Sequence, residues 1–185
     1  MTLEFSVDPE LTRGLRDEIL DCWTEVTQAG GAVGFVPPVT REEIAPTAEQ
    51  AFAGVVAGAD RLIVGRVRET GNPARGGGDP AAGRLAALAF IVGGQHGLTR
   101  HWRTVKRVMV HPEFQGRGYG LDLMTAVAGA GRSMGLDMLN LECRSGTGVD
   151  EFYKRAGYRE WGRFPGALRL SADEFRDQIS LYLPL

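Results

Sequence analysis

A glycine-rich turn lies in the second half of the chain, between a strand-like segment and a helical apolar pattern. It sits within the stretch Val108-Met109-Val110-His111-Pro112-Glu113-Phe114-Gln115-Gly116-Arg117-Gly118-Tyr119-Gly120-Leu121-Asp122-Leu123-Met124. Glycines let the backbone approach a ligand closely and adopt positive φ. The free N–H groups at the start of the following helix, with the positive end of its dipole behind them, attract anions. The turn therefore predicts a binding site for a pyrophosphate.

Two common phosphate-binding patterns do not fit this turn. The Walker pattern requires Gly-Lys-Ser/Thr, which the turn lacks. The dinucleotide fingerprint requires glycine at its first, third and sixth positions, whereas the glycines here occupy alternate positions. The pattern that does fit is Gln-x-x-Gly-x-Gly, formed by Gln115, Gly118 and Gly120.

That pattern resembles motif A of the GNAT superfamily of N-acetyltransferases, which binds the pyrophosphate of coenzyme A. Val-x-His-Pro before the turn and Leu-x-x-Met after it are similar to the same family. So is Glu151-Phe152-Tyr153-Lys154-Arg155-Ala156-Gly157-Tyr158, which matches the family element Phe-Tyr-x-x-x-Gly-Phe/Tyr. Residues 104–163 carry nearly all of the resemblance. It implies an acetyl-CoA-dependent N-acetyltransferase with a GNAT-like α/β fold, and acetyl-CoA as its co-substrate.

The resemblance also implies roles for individual residues. Tyr153 would be the general acid that protonates the departing thiolate. The alternative for Tyr153 is a half-buried side chain that packs and hydrogen-bonds to a backbone carbonyl. Arg117 would contact a CoA phosphate, unless it is a solvated loop arginine, and the strand before the turn would bind the pantetheine through its backbone. The predicted cofactor-binding set is Met109, Val110, Gln115, Gly116, Arg117, Gly118, Tyr119 and Gly120.

The general base departs from the commoner family pattern. Many GNAT members place a glutamate on the strand before the turn, where this chain has Thr104, Lys106 and Arg107. A base is needed because an alkyl ammonium, with a free pKa of about 8 to 10, cannot attack a thioester while protonated. We predict that Glu142 on the next strand is that base. The alternatives are a carboxylate paired with Arg107, Arg144 or another neighbour, or one that only binds the ammonium.

A finer resemblance connects the chain with the tabtoxin-resistance acetyltransferases, which acetylate the amine of a small amino-acid-like toxin. It lies in Gly30 to Phe35 and in Leu141-Glu142-Cys143. It suggests that the acceptor is the primary amine of a small molecule, such as an amino-acid-like metabolite, toxin or antibiotic. Candidates for the acceptor pocket are Gly34, Phe35 and Trp102, although both aromatic residues could equally be core. Two other functions stay open: an acetyltransferase of protein N-termini or lysines, and a non-catalytic acyl-CoA-binding module.

Composition is that of an ordinary globular domain. The 185 residues are 43% hydrophobic and 24% charged, which suits a single domain spanning residues 1–185. The formal net charge of −2 gives no reason to expect nucleic-acid binding. The longest apolar run, Leu85 to Val92, is too short to cross a bilayer, so no membrane partner is expected. A homodimer is one of the oligomeric states that the sequence leaves open.

Cysteine and histidine usage favours a cytoplasmic enzyme without a metal. Two cysteines provide no disulfide framework and no zinc spacing, and the first residues do not form a signal peptide. The histidines at positions 96, 101 and 111 also lack the spacing of metal ligands. A reducing cytoplasm is therefore the expected compartment.

Periodicity and turn signals predict eleven elements in the order β-α-α-β-β-β-α-β-α-β-β, a mixed sheet covered by helices. The predicted strands are Leu3–Val7, Arg61–Arg68, Leu85–Val92, Thr104–Val110, Leu136–Cys143, Tyr158–Arg163 and Gln178–Leu183. The predicted helices begin near Leu11, Thr40, Gly118 and Val149. Thr40 and Glu43 have the spacing of a capping box, and Gly135 has the character of a residue that ends a helix. Glu69 to Gly83 is rich in glycine and proline and predicts a surface loop.

Overall fold

The computed structural model of the chain describes residues 2–68, 83–93 and 96–185. Its strands are β1 (Thr2–Val7), β2 (Arg61–Arg68), β3 (Arg84–Gly93), β4 (Trp102–Val110), β5 (Met138–Arg144), β6 (Arg159–Arg169) and β7 (Phe175–Pro184). Its helices are α1 (Arg13–Gln28), α2 (Arg41–Val56), α3 (Tyr119–Ser133) and α4 (Val149–Arg155). The order of these elements agrees with the predicted one. The loop predicted from Glu69 to Gly83 lies outside the described residues, except for Gly83.

The strands form one mixed sheet of seven strands in the order β1-β2-β3-β4-β5-β7-β6. Every neighbouring pair is antiparallel except β4 and β5, which run parallel. β3 lies between β2 and β4 and is buried along most of its length. This explains the continuous apolar run in its sequence, because both faces of the strand are covered by helices. The predicted α/β architecture with a mixed sheet flanked by helices is confirmed.

The two faces of the sheet have separate cores. On one face α1 and α2 pack against Leu62, Leu88 and Phe90. On the other face α3 and α4 pack against Ile63, Ala89 and the buried residues of β5. Side chains that alternate along β2 and β3 therefore supply both cores.

β4 and β5 separate after a short parallel contact. The contact joins Trp102–Thr104 to Met138–Asn140 and goes no further. Beyond it, β4 continues to Val110 on its pairing with β3, and β5 continues to Arg144 on its pairing with β7. The two strands therefore leave unpaired edges on either side of a gap that opens toward their carboxyl ends.

A β-bulge distorts β4 inside this gap. Leu88 pairs with Met109 and Phe90 pairs with Lys106, so three steps along β4 oppose two steps along β3. Arg107 lies in the bulge with a φ of +55°, a conformation that is uncommon for a residue with a side chain. An extra residue of this kind redirects the side chains around it.

β6 and β7 are longer than their predicted counterparts, Tyr158–Arg163 and Gln178–Leu183. The two strands pair as far as Arg169 and Phe175, and nearly all of β6 is exposed. Backbone hydrogen bonds rather than apolar burial hold this extension together. The hydrophobic pattern therefore gave no signal for it.

Candidate active site

The glycine-rich turn ends at the first residue of α3, as predicted. Gly116 and Gly118 have φ values of +74° and +85°, which residues with a Cβ rarely adopt. Gly118 is the N-cap of α3, and no side chain caps the helix there. An added Cβ at either glycine would meet no atom within 4 Å. The turn is therefore an open cradle at a helix N-terminus, the kind of site that binds a phosphate.

A cavity of about 370 Å³ adjoins this cradle, and we call it the turn cavity. It is lined by Val110, Phe114, Gln115, Gly116, Gly118, Tyr119, Gly120, Leu121, Phe152 and Arg155. Six of the eight residues predicted to bind the cofactor are among them. Phe152 and Arg155 come from α4, so the glycine-rich turn and the Phe-Tyr-x-x-x-Gly element contribute to one site.

Three predicted residues have contacts that the motif did not indicate. The side-chain amide of Gln115 donates a hydrogen bond to the carbonyl of Val110 at 3.1 Å, which ties the turn to the end of β4. The Met109 side chain is buried in the core beneath α1 and α2, so only its backbone faces the gap beside β5. Arg117 lies over the ring of Phe114, and neither Met109 nor Arg117 lines the turn cavity.

A second cavity, of about 360 Å³, lies at the gap between β4 and β5, and we call it the Arg107 cavity. It is lined by Ala32, Gly34, Phe35, Val36, Arg107, Glu142, Cys143, Arg144, Ala167, Leu168, Arg169, Leu170 and Gln178. Three residues predicted to act on the acceptor side, Gly34, Phe35 and Glu142, therefore meet at one place. Trp102 does not join them, because it is ~16 Å from Arg107 along β4 at the usual rise per residue.

Tyr153 lines neither cavity but packs against residues of both. Its neighbour Phe152 lines the turn cavity, and their ring centroids are 5.1 Å apart. It also shares a core with Cys143, which lines the Arg107 cavity. Tyr153 is buried, and its hydroxyl makes no hydrogen bond to any residue that the structure describes. The backbone-carbonyl bond of the alternative interpretation is therefore not made.

Comparison with known proteins identifies the family of the segment that contains the glycine-rich turn. Residues 81–160 match the family model described as the acetyltransferase (GNAT) domain. Residues 81–160 belong to a GNAT acetyltransferase domain. The resemblance seen in motif A is thereby confirmed, and acetyl-CoA is the acetyl donor that this family uses. A search of curated protein sequences finds no significant match.

Solved structures of acetyltransferases share the fold over nearly the whole chain. A proposed acetyltransferase from Salmonella typhimurium, solved with its cofactor acetyl-CoA, is 16% identical with a TM-score of 0.72, and the alignment covers 100% of this chain and 94% of that one. A ribosomal-protein-alanine N-acetyltransferase from Brucella melitensis is 13% identical with a TM-score of 0.72 and full coverage of both chains, at 100% each. A chimeric spermidine N-acetyltransferase from Vibrio cholerae is 15% identical with a TM-score of 0.72, covering 100% and 96%.

Burial keeps the Tyr153 hydroxyl and the Cys143 thiol of this acetyltransferase domain protonated. Burial raises the pKa of the Tyr153 hydroxyl well above its usual value, and Cys143 adds to the effect. Burial also raises the pKa of the Cys143 thiol to about 11, with Asp150 and Glu160 contributing. Tyr153 is therefore a proton donor and Cys143 a neutral thiol across the physiological range.

Glu142 is exposed on the wall of the Arg107 cavity. Within residues 2–68, 83–93 and 96–185 it has no ion-pair partner, because Arg144 bonds the Gly30 carbonyl instead. The alternative in which Glu142 is neutralised by Arg107 or Arg144 is not what the structure contains. Its carboxylate is available to a ligand.

Arg107 is the residue that sequence reasoning missed. The sequence indicates no role for it beyond a possible ion pair with Glu142, but the structure places it on the wall of the cavity itself. The available signal was a charged residue inside the strand Thr104-Val105-Lys106-Arg107-Val108-Met109-Val110, where strict alternation would leave no buried place for it.

Among the described residues, no group of three or more His, Cys, Asp or Glu side chains is arranged to hold a metal ion. No helix in the described parts of the chain is long and apolar enough to cross a membrane. His111 caps the turn after β4, and its Nε2 lies 3.1 Å from a carboxylate oxygen of Glu25.

Proposed function

We propose that the enzyme transfers acetyl directly from acetyl-CoA to the primary amine of a small molecule held in the Arg107 cavity. One observation carries the proposal: beside the β4–β5 gap, Tyr153 packs against Phe152, which lines the turn cavity, and shares a core with Cys143, which lines the Arg107 cavity. A donor in one cavity and an acceptor in the other would bring their reacting atoms together at that gap. Such positioning supplies much of the rate enhancement in a bimolecular transfer.

The turn cavity is suited to the CoA end of the donor. The uncapped N-terminus of α3 provides N–H donors for the pyrophosphate, and Arg155 adds a positive charge on the same wall. The unpaired edge of β4 near Met109 and Val110 provides backbone groups for the pantetheine. When bound, acetyl-CoA supplies a thioester carbonyl that an amine can attack.

Two residues of the chain then accept and donate the protons of the reaction. Glu142 attracts the acceptor ammonium and receives its proton, so that the free amine nitrogen can attack the thioester carbon. A C–N bond forms as the C–S bond breaks, and Tyr153 donates its proton to the departing thiolate. Each proton transfer of this kind contributes about 10²- to 10⁴-fold to the rate.

Direct transfer is favoured over a route through an acetylated cysteine. Cys143 is the cysteine at the gap, but its pKa of about 11 leaves roughly one thiol in 10⁴ ionised at neutral pH, and the thiolate is the nucleophile. Cys22 on α1 is more deeply buried, and burial raises its pKa to about 12. Neither thiol is a competent nucleophile for a covalent intermediate.

The size and walls of the Arg107 cavity support a small acceptor. Its volume of about 360 Å³ is at the lower end of the range for small-molecule sites, about 300 to 1,000 Å³. The segment after α1 forms one wall, and the end of β6 forms the opposite wall. An amino-acid-like metabolite, toxin or antibiotic fits such a site better than a polypeptide terminus. Both cysteines are free and buried, which supports action in a reducing cytoplasm.

The test is a mass-spectrometric screen with acetyl-CoA and three acceptor groups: small amines including amino acids, polyamines, and peptides with free N-termini or lysines. We expect a mass gain of one acetyl group on small amines, and stoichiometric release of CoA. Acetylation of peptides alone would replace the proposal with a protein-directed function. Acetyl-CoA binding without any product would indicate the non-catalytic module.

A further inference from the structure

The guanidinium of Arg107 lies close to two residues, Trp23 and Gly34. Its central carbon lies 5.0 Å from the ring centroid of Trp23, an arrangement favourable for a cation over an aromatic face. Trp23 is itself fixed, because it is fully buried and its indole N–H donates to the Val33 carbonyl at 3.0 Å. Gly34 is also near, since an added Cβ there would lie 3.0 Å from the guanidinium carbon.

No carboxylate neutralises this group. In the described residues, 2–68, 83–93 and 96–185, Arg107 forms no ion pair and no hydrogen bond, and its contact is the ring of Trp23. Arg66 on β2 shows the usual arrangement, because its guanidinium is 2.5 Å from a Glu18 oxygen. Burial lowers the pKa of Arg107, which reflects the cost of removing an unpaired cation from water.

The N–H donors of Arg107 remain for the cavity that this side chain lines, because no residue that the structure describes accepts a hydrogen bond from them. Glu142 lies on the same wall, so one cavity presents a fixed cation and an available carboxylate. An arginine fork binds a carboxylate through two parallel hydrogen bonds. A small zwitterion with an ammonium and a carboxylate would satisfy both groups together.

We infer that Arg107 binds the carboxylate of the acceptor, which makes the acceptors amino-acid-like amines rather than polyamines or simple alkyl amines. The inference rests on the proposed function for the identity of this cavity as the acceptor site. Polycations are disfavoured because Arg107, Arg144 and Arg169 all line the cavity. Arg107 is thus a specificity residue, separate from the proton-transfer groups Glu142 and Tyr153.

The test compares the binding of amino acids with that of their carboxamides, which keep the amine and lose the negative charge. Calorimetry on the CoA-saturated enzyme uses lysine, ornithine, methionine and tyrosine, each paired with its amide. We expect at least one acid to bind about 10- to 100-fold more tightly than its amide, the worth of a charge-assisted bond. Arg107→Gln should abolish that preference by weakening the binding of the amino acid and not that of its amide. Arg107→Lys should keep part of the preference.

Lys106→Gln is the matched control, since Lys106 is the preceding residue, is exposed and does not line the cavity. It should retain the full acid-over-amide preference. No preference in any pair, or a preference that survives in Arg107→Gln, would overturn the inference. If Arg107→Gln does not fold, the acid-over-amide preferences of the wild type and of Arg107→Lys test the inference. An Arg107-dependent preference without acetylated product from acetyl-CoA would instead refute the proposed function and leave the anion site standing.

Discussion

Gly118 and Gly135 stand at opposite ends of α3, and both have left-handed backbones with open space beside them. Their φ values are +85° and +70°, and an added Cβ would meet no atom within 4 Å at either position. The two glycines are therefore equivalent in backbone strain. They differ in surroundings, because Gly118 lines the turn cavity and Gly135 does not.

This pair makes a controlled test of the CoA site. Gly118→Leu would put a side chain into the cradle, and we expect acetyl-CoA affinity to fall about 10-fold or more, which is at least about 1.4 kcal/mol. Gly135→Leu should cost similar stability, about 1 to 2 kcal/mol for a left-handed residue with a side chain, without changing affinity. Calorimetry and thermal unfolding of both variants measure the two effects. Equal affinities in the two folded variants would place the CoA site elsewhere.

Tyr153 and Tyr158 provide a second matched pair. Tyr153→Phe should lower kcat by about 10- to 100-fold or more, because the departing thiolate loses its acid, while KM for acetyl-CoA changes little. The Tyr158 hydroxyl is buried without a hydrogen-bond partner among the described residues. Tyr158→Phe should therefore keep kcat and raise stability by about 1 kcal/mol, since an unsatisfied buried hydroxyl is costly. Comparable kcat losses in both variants would make Tyr153 structural.

The raised pKa of Tyr153 also predicts the alkaline limb of the rate profile. An ordinary tyrosine would lose about half of its protons at pH 10, but burial keeps this one protonated beyond that point. We expect kcat under chemistry-limited conditions to show no decline between pH 8 and pH 10 that depends on Tyr153. A decline present in wild type and absent in Tyr153→Phe would contradict the assignment.

The start of α2 tests a structural prediction away from both cavities. The Thr40 N–H donates to the Glu43 carboxylate at 2.7 Å, and the Glu43 N–H donates to the Thr40 hydroxyl at 3.3 Å. Thr40→Ala removes the cap and should lower the free energy of unfolding by about 1 kcal/mol, with kcat unchanged. Urea unfolding of Thr40→Ala, Glu43→Ala and the double variant measures their coupling. Fully additive losses would mean that the two residues do not act as a capping box.

Local chemistry explains which features the sequence could predict. Thr40 with Glu43 and Gly135 mark helix ends through nearby backbone groups, and both are confirmed. The turn cavity was also predictable, because one stretch from Gln115 to Gly120 supplies most of its wall. These signals depend on residues close together in the chain.

The Arg107 cavity depends on relationships that no short stretch contains. It needs β4 to leave β5 after Thr104, a bulge that turns Arg107, and a wall from the exposed end of β6. Trp23, more than eighty positions earlier, holds the guanidinium. An alternating pattern indicates burial, but it does not indicate the point at which two strands separate. Glu142 could therefore be predicted as a candidate, whereas the residues around it could not.

Glu142→Gln separates proton acceptance from cation binding, because glutamine keeps the shape and loses the basic oxygen. If Glu142 is the base, kcat/KM for the acceptor should fall at neutral pH. Raising the pH should recover much of the loss, since free amine becomes available without help as pH approaches the amine pKa of about 8 to 10. A residue that only binds the ammonium would instead raise acceptor KM and leave kcat largely intact.

Glu142→Asp is the companion variant, because it keeps a carboxylate on the same exposed wall of the Arg107 cavity. It should retain more activity than Glu142→Gln at pH 7, and the difference should shrink as the pH rises. The pH dependences of Glu142→Gln and Glu142→Asp are independent of Tyr153, because its hydroxyl stays protonated throughout this pH range. A pH–rate profile of Glu142→Gln that superimposes on wild type would remove Glu142 from the mechanism, and the ammonium proton would then have to leave through another group facing the β4–β5 gap.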